Sequence, residues 1–160
     1  MGKSDFRFHF PLRVRWADCD PMGHVFHGRY FEFTEQAQEE YYRHLGTSIY
    51  RLAQKGYFDT IVVKATAEYF SPARLDDLLE VYTRVARLGE KSITMLSEIY
   101  RMGEETLLCR VEVIYAGWDG SSGRSKPIPG DLRHLISHFE ATGEVLPIDG
   151  FPNLRVQGVP

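Results

Sequence analysis

The hydrophobic period of this chain changes partway along. Between about residues 28 and 45 it is helical: Tyr30, Phe33, Ala37, Tyr41, His44 and Leu45 share one side of a helical wheel. Glu32, Gln36, Glu39 and Arg43 take the other side, which predicts a long amphipathic helix. Gly46 is a natural stop just past its end. Thr47 or Ser48 can cap a second, shorter helix through Gln54, closed by Gly56. From there the period falls to two. Residues 60–70 read as a strand ended by Ser71 and Pro72, and residues 78–88 as the next, with a turn at Gly89 and Glu90. Residues 91–101 set Ile93, Met95 and Ile99 against Thr94 and Glu98. Residues 106–116 set Leu107, Cys109, Val111, Val113 and Tyr115 against Arg110 and Glu112. Strands joined by tight, Gly-containing links form an antiparallel meander. Before the helix, residues 12–16 alternate apolar and basic and predict one more strand.

Residues 117–125 read as a loop, extended by Pro127 and Pro129, and Asp131–Ala141 as a last short helix. From Gly143 on, three Pro and three Gly in eighteen residues leave no regular element. The expected organisation is one domain over residues 1–142 and a tail over residues 143–160. Helices come early and strands run together, so the class is α+β. A sheet of about five strands must cover its apolar face, and the helix over 28–45 is the one element long enough to do so.

Composition narrows the function classes more than it names one. The chain has 160 residues, 43% hydrophobic and 26% charged, with net charge -3. This is ordinary for a globular domain and gives no general pull toward nucleic acid. No apolar run is long enough to span a bilayer, and the first residues lack the apolar centre of a signal peptide. Gly2 raises myristoylation, but Phe6 stands where that motif wants Ser or Thr. Two cysteines make no disulfide framework and fit a reducing, cytoplasmic setting.

Chemistry concentrates between Asp18 and Tyr30. Asp18, Asp20, His24 and His27 stand beside Pro21, Gly23 and Gly28, directly before the long helix. A helix start carries unpaired N–H groups and a positive partial charge. Asp20 reads either as a base or nucleophile aimed at a carbonyl held there, or as a turn acid bonded to nearby backbone. Asp18 points the same way on an extended segment, so the expected division is one exposed or structural acid and one functional acid. The two His are three apart, but no third metal ligand is evident. A calcium loop fails, because Met22 and Arg29 stand where it needs oxygen ligands. Cys19 lies between two acids that disfavour a thiolate, and Cys109 sits on an apolar strand face. Neither a phosphate-binding loop nor a nucleophile elbow is present.

The stretch Asp18-x-Asp20-Pro21-x-Gly23-x-Val25-Phe26-His27-x-x-Tyr30 resembles the hotdog-fold acyl-CoA thioesterases. It is most similar to the 4-hydroxybenzoyl-CoA thioesterase branch and the Tol–Pal-associated thioesterases. A second stretch, Tyr69-x-Ser71-Pro72-Ala73-Arg74-Leu75-Asp76-Asp77, resembles the segment leading into that family's central strands. The order of elements from about residue 8 to 140 agrees. The resemblance implies a curved antiparallel sheet wrapped around one central helix. It also implies homodimers or dimers of dimers, with active sites between subunits at the N-terminus of that helix.

By position, Asp20 matches the family's catalytic aspartate, as nucleophile or general base. The backbone N–H at His27 matches the amide that polarises the thioester carbonyl, a donor typically worth ~100- to 1000-fold in rate. The His27 side chain matches a His of the Tol–Pal branch, where the hydroxybenzoyl branch has Tyr. His24 replaces a small or apolar residue. Phe26 and Tyr30 are expected to line an acyl pocket for an aryl or short acyl group. Arg87, Lys91 and Ser92 are expected to meet coenzyme A, with Arg124 and Lys126 as further cations for that task. No cofactor is implied beyond the coenzyme A of the substrate. The rival readings are a hotdog hydratase or dehydratase, and a non-catalytic acyl-CoA-binding module.

Overall fold

The computed structural model describes residues 2–159. Its elements are β1 (Phe8–Arg13), α1 (Arg29–His44), α2 (Ile49–Gln54), β2 (Asp59–Tyr69), β3 (Leu78–Leu88), β4 (Ser92–Arg101), β5 (Leu107–Asp119), β6 (Arg124–Ser125) and α3 (Gly130–Thr142). The strands make one antiparallel sheet in the order β1-β3-β4-β5-β2, with the short β6 paired to β5. It covers α1, as the expected hotdog fold requires. Tyr30, Phe33, Ala37 and Tyr41 form the buried stripe of that helix. His44, assigned to the same stripe from its spacing, is exposed, but its ring packs against Phe8 and Phe139.

The apolar core has two centres. One lies at the start of α1, among Val25, Tyr30, Phe33, Ala73 and Leu79. The other lies at its end, among Tyr41, Leu45, Phe58, Leu132 and Phe139. Between them the directly paired Thr83 and Ser97 hydroxyls share a buried hydrogen bond of 2.8 Å. Ser48 caps α2 by accepting from the Arg51 N–H, and Gly46 and Gly56 take the positive φ that ends each helix.

Three expectations change. The first strand runs over Phe8–Arg13 rather than 12–16. Pro11 is tolerated because β1 is a sheet edge, where its missing N–H is not needed. Residues 117–119 extend β5, and the chain returns through β6. At Gly117 the returning chain crosses so closely that a Cβ would run into the Lys126 carbonyl oxygen. The segment after Gly143 is folded onto the domain. Leu154 is fully buried, Thr47 Oγ1 donates to its carbonyl (2.8 Å), and Ile148 and Phe151 pack on the same core.

This docking is testable. Leu154→Ala should cost about 2–5 kcal/mol of stability, the usual range for emptying a fully buried leucine site. Urea unfolding would read it as a lower midpoint at constant slope, whereas an undocked tail predicts an unchanged midpoint.

Candidate active site at the start of the central helix

The two stretches singled out by sequence, far apart along the chain, meet at the start of α1. Residues 19–25 form a narrow turn. The Asp20 N–H donates to the His24 carbonyl (2.8 Å) and the Gly23 N–H to the Asp20 carbonyl (3.0 Å). Gly23 has φ +77, which a side chain would strain. The turn is clamped to the second stretch: the Val25 N–H donates to the Ala73 carbonyl (2.9 Å) and the Leu75 N–H to the Gly23 carbonyl (3.2 Å).

Asp20 sits inside this turn with its two oxygens in different surroundings. Oδ1 accepts from the N–H groups of Met22 (2.9 Å) and His24 (3.2 Å). Among the described residues, Oδ2 accepts no hydrogen bond. The turn-acid reading therefore accounts for one oxygen, and the other is left for chemistry. Asp18 is different. It is 1% exposed, accepts from the Arg15 N–H (2.8 Å), and holds the Arg15 guanidinium through both oxygens. Burial pushes its carboxyl upward, but the Arg15 side chain and N–H outweigh this and hold it below the ordinary carboxylate value. Its carbonyl also accepts from the Phe26 N–H (2.9 Å), so Asp18 fixes the loop that leads into α1.

The helix start itself is open. Gly28 stands at the N-cap position and supplies no side-chain cap. Among the described residues, the N–H groups of His27 and Gly28 find no acceptor, while that of Arg29 is spent on the Phe26 carbonyl (2.9 Å). The Tyr69 hydroxyl donates to the His27 carbonyl (2.8 Å) and so ties the end of β2 to this turn. The His27 ring lies 4.3 Å from that of Phe26 and meets Tyr69 edge-on. His24 pairs with Arg74 as an isolated bridge.

The remaining residues proposed from sequence fall in several places. Phe26 is half exposed beside His27, but Tyr30 is buried and its hydroxyl accepts from the Ala73 N–H (3.0 Å). Within one chain Tyr30 supports the wall of the site without facing it. Arg87, Lys91 and Ser92 lie at the β3–β4 link, at the other end of the sheet from Asp20. The length of β3 alone separates them by about 30 Å. Arg124 and Lys126 share that far end; Lys126 Nζ donates to the Tyr57 carbonyl (2.6 Å). Burial raises both thiols, Cys109 to about 12. Among the described residues no group of three His, Cys, Asp or Glu side chains is placed to hold a metal. Among the described residues no helix is long and apolar enough to cross a membrane.

A cavity of about 920 Å³ is lined by α1, α2, β2, β5 and residues 158–159, and on α1 its wall begins at Phe31. Sequence reasoning missed two features here. Tyr69 was noted only as part of a motif. Gln38, on the same α1 wall, is buried; its place one residue after Ala37, on the apolar stripe, was the available signal.

A family model described as the thioesterase-like superfamily matches residues 14–136. The acyl-CoA thioester hydrolase YbgC of Escherichia coli O6:H1 is 36% identical over 134 residues, covering 83% of this chain and 96% of the relative. The 4-hydroxybenzoyl-CoA thioesterase of Pseudomonas sp. is 27% identical over 132 residues, covering 78% and 94%. Among solved structures, a 1,4-dihydroxy-2-naphthoyl-CoA thioesterase from Synechocystis superposes with TM-score 0.76 at 22% identity, covering 81% and 95%, a likeness of fold.

The geometry assigns Asp18 to support, and stability should show it. Asp18→Asn should cost about 2 kcal/mol, the scale of charge-assisted hydrogen bonds to a buried group. A depressed folded-state value means that the Asp18 contribution is complete above the unfolded carboxyl value and lost as pH falls through the folded one. Melting temperature against pH should therefore drop more steeply in acid for the wild type than for Asp18→Asn. Parallel curves would contradict the assignment.

Proposed function

Because this chain belongs to the thioesterase-like superfamily, we propose that it hydrolyses acyl-CoA thioesters at the start of α1. One observation carries the reading: a carboxylate oxygen without a protein partner stands in a turn that leads straight to an uncapped helix start with two unspent N–H donors. The names of the Escherichia coli and Pseudomonas relatives, both thioester hydrolases, support it.

The thioester carbonyl oxygen accepts from the His27 and Gly28 N–H groups. Negative charge that builds on that oxygen as the carbon becomes tetrahedral is met by fixed dipoles at the helix end. Asp20 Oδ2 then acts in one of two ways. As nucleophile it bonds the carbonyl carbon and expels the coenzyme A thiolate, and water cleaves the resulting anhydride. As general base it takes a proton from the water that attacks the same carbon. Either route ends in free acid and coenzyme A. The Met22 and His24 N–H groups hold the carboxylate still in both.

The two edges of the sheet support a homodimer. β1 carries Pro11, which blunts its edge. β2 has no proline and leaves Ile61, Val62 and Val63 exposed beside unpaired backbone groups. Antiparallel pairing of two β2 strands would continue the sheet across a two-fold axis. The same pairing would bring the β3–β4 link of the second copy, with Arg87, Lys91 and Ser92, toward the end where the first copy holds Asp20. Coenzyme A would then bind between subunits, and dimers could associate further. Two free cysteines suit a cytoplasmic, reducing setting.

Asp20→Asn is the direct test. An asparagine Oδ1 can still accept from Met22 and His24, so melting temperature should stay near wild type. Thiol release from a panel of aryl, short and long acyl-CoAs should fall at least ~100-fold, as expected for losing a positioned acid or base. Undiminished turnover would remove the proposal, and hydration of enoyl-CoAs without thiol release would favour the hydratase reading. For the assembly, Val62→Glu with Val63→Glu should convert a sedimenting dimer to monomer and abolish turnover. A wild-type monomer that retains turnover would contradict the inter-subunit site.

A further inference from the structure

Only two buried side-chain polar atoms lack a partner among the described residues, Gln38 Nε2 and Arg84 Nε. Arg84 still donates to the Asp5 carbonyl (3.1 Å). Gln38 is the more demanding case. It is 5% exposed, in the middle of α1, on the wall of the cavity lined by α1, α2, β2 and β5. Its Oε1 accepts from the Tyr115 hydroxyl, which leaves the amide nitrogen with nothing to bond. The hydroxyls of Thr34 and Tyr42, one turn away on α1, donate to the Phe31 carbonyl (2.9 Å) and to Met95 Sδ (3.8 Å), and neither accepts from Gln38 Nε2. A buried amide without a partner is destabilising, and a ligand group in the cavity would relieve it.

Resting on the thioesterase reading, we infer that Gln38 is a specificity-determining residue that binds a hydroxyl on the acyl group, far from the thioester. A hydroxyl both donates and accepts, so it satisfies the free end of the carboxamide whichever way the amide is turned. Charge argues against a carboxylate in its place. Glu35, Glu39 and Asp59 line the same cavity, and Arg43, one of its two arginines, is already paired with Glu39 and Glu40. Length follows from the helix. Gln38 lies about 14 Å along α1 from its first residue, Arg29, which follows His27 and Gly28, where the carbonyl binds. A hydroxyl that reaches Gln38 within one subunit is therefore carried on a medium-length chain. This extends the acyl range beyond the aryl or short group suggested by residues 18–30.

The probes are coenzyme A ketone analogues, with a methylene between sulfur and carbonyl so that they cannot be hydrolysed. Terminally hydroxylated chains of about 8 to 12 carbons, matched to the helix rise, are compared by calorimetry with unsubstituted chains of equal length. Wild type should bind the hydroxylated analogue at least about tenfold more tightly, because an unsubstituted chain leaves the buried amide unpaired. In Gln38→Leu the ratio should fall to near one. Equal affinities in wild type overturn the inference, whatever the variant does. So does a preference that survives in Gln38→Leu, or a wild-type dimer that becomes monomer in that variant, which would assign the amide to the subunit interface. Thiol release from the corresponding acyl-CoAs is followed in parallel. Hydroxyl preference without thiol release sinks the thioesterase reading alone, and thiol release without preference sinks the inference alone.

Discussion

The site depends on keeping a helix start open while holding it still. A helix leaves its first N–H groups unpaired, and most proteins satisfy them with a side-chain cap. Here Gly28 offers none, and His27 and Gly28 keep their donors free. Rigidity comes from groups that do not occupy those donors. Tyr69 holds the His27 carbonyl, Tyr30 anchors the Ala73 N–H, and Asp18 fixes the preceding loop through Arg15 and Phe26. Each works on a carbonyl or a neighbouring amide. The cost of an uncapped helix is offset by the buried stripe from Tyr30 to Tyr41, which keeps α1 in the sheet whatever happens at its end.

The same logic explains why two acids two residues apart have different tasks. Asp18 is buried and both of its oxygens are committed, so it is structural. Asp20 is committed by one oxygen only, and the turn that uses Oδ1 also aims the carboxylate. The sheet protects its β1 edge with Pro11 and leaves the β2 edge bare on the side that carries Tyr69.

Much of this was legible because the pattern was strong where a face is buried. α1, α2, β2, β3, β4 and α3 lie within a residue or so of their expected places, since period and Gly stops agree there. The misses have physical causes. Pro11 hid a strand that only an edge permits, and Gly117 imitated a turn while serving a close backbone crossing. The segment after Gly143 is held by single anchors such as Leu154, which leave no period to read. Within the site, Asp20 stood out as a candidate acid before a helix start, while the His27 backbone was assigned by the resemblance. The role of Tyr69 could not, because it depends on β2 ending beside the helix start. Arg87, Lys91 and Ser92 were grouped with the site by resemblance, and the fold sets them at the far end of the sheet from Asp20 within one chain.

The free amides at the start of α1 are proposed to polarise the thioester carbonyl. Isotope-edited infrared difference spectroscopy tests this directly, using acyl-CoA labelled at the carbonyl carbon and bound to the slow Asp20→Asn protein. The account predicts a carbonyl band shifted to lower frequency than that of the same ester in water, as donors fixed at the helix end weaken the double bond. A bound ester whose carbonyl band stays at its position in water, or moves to higher frequency, would contradict it.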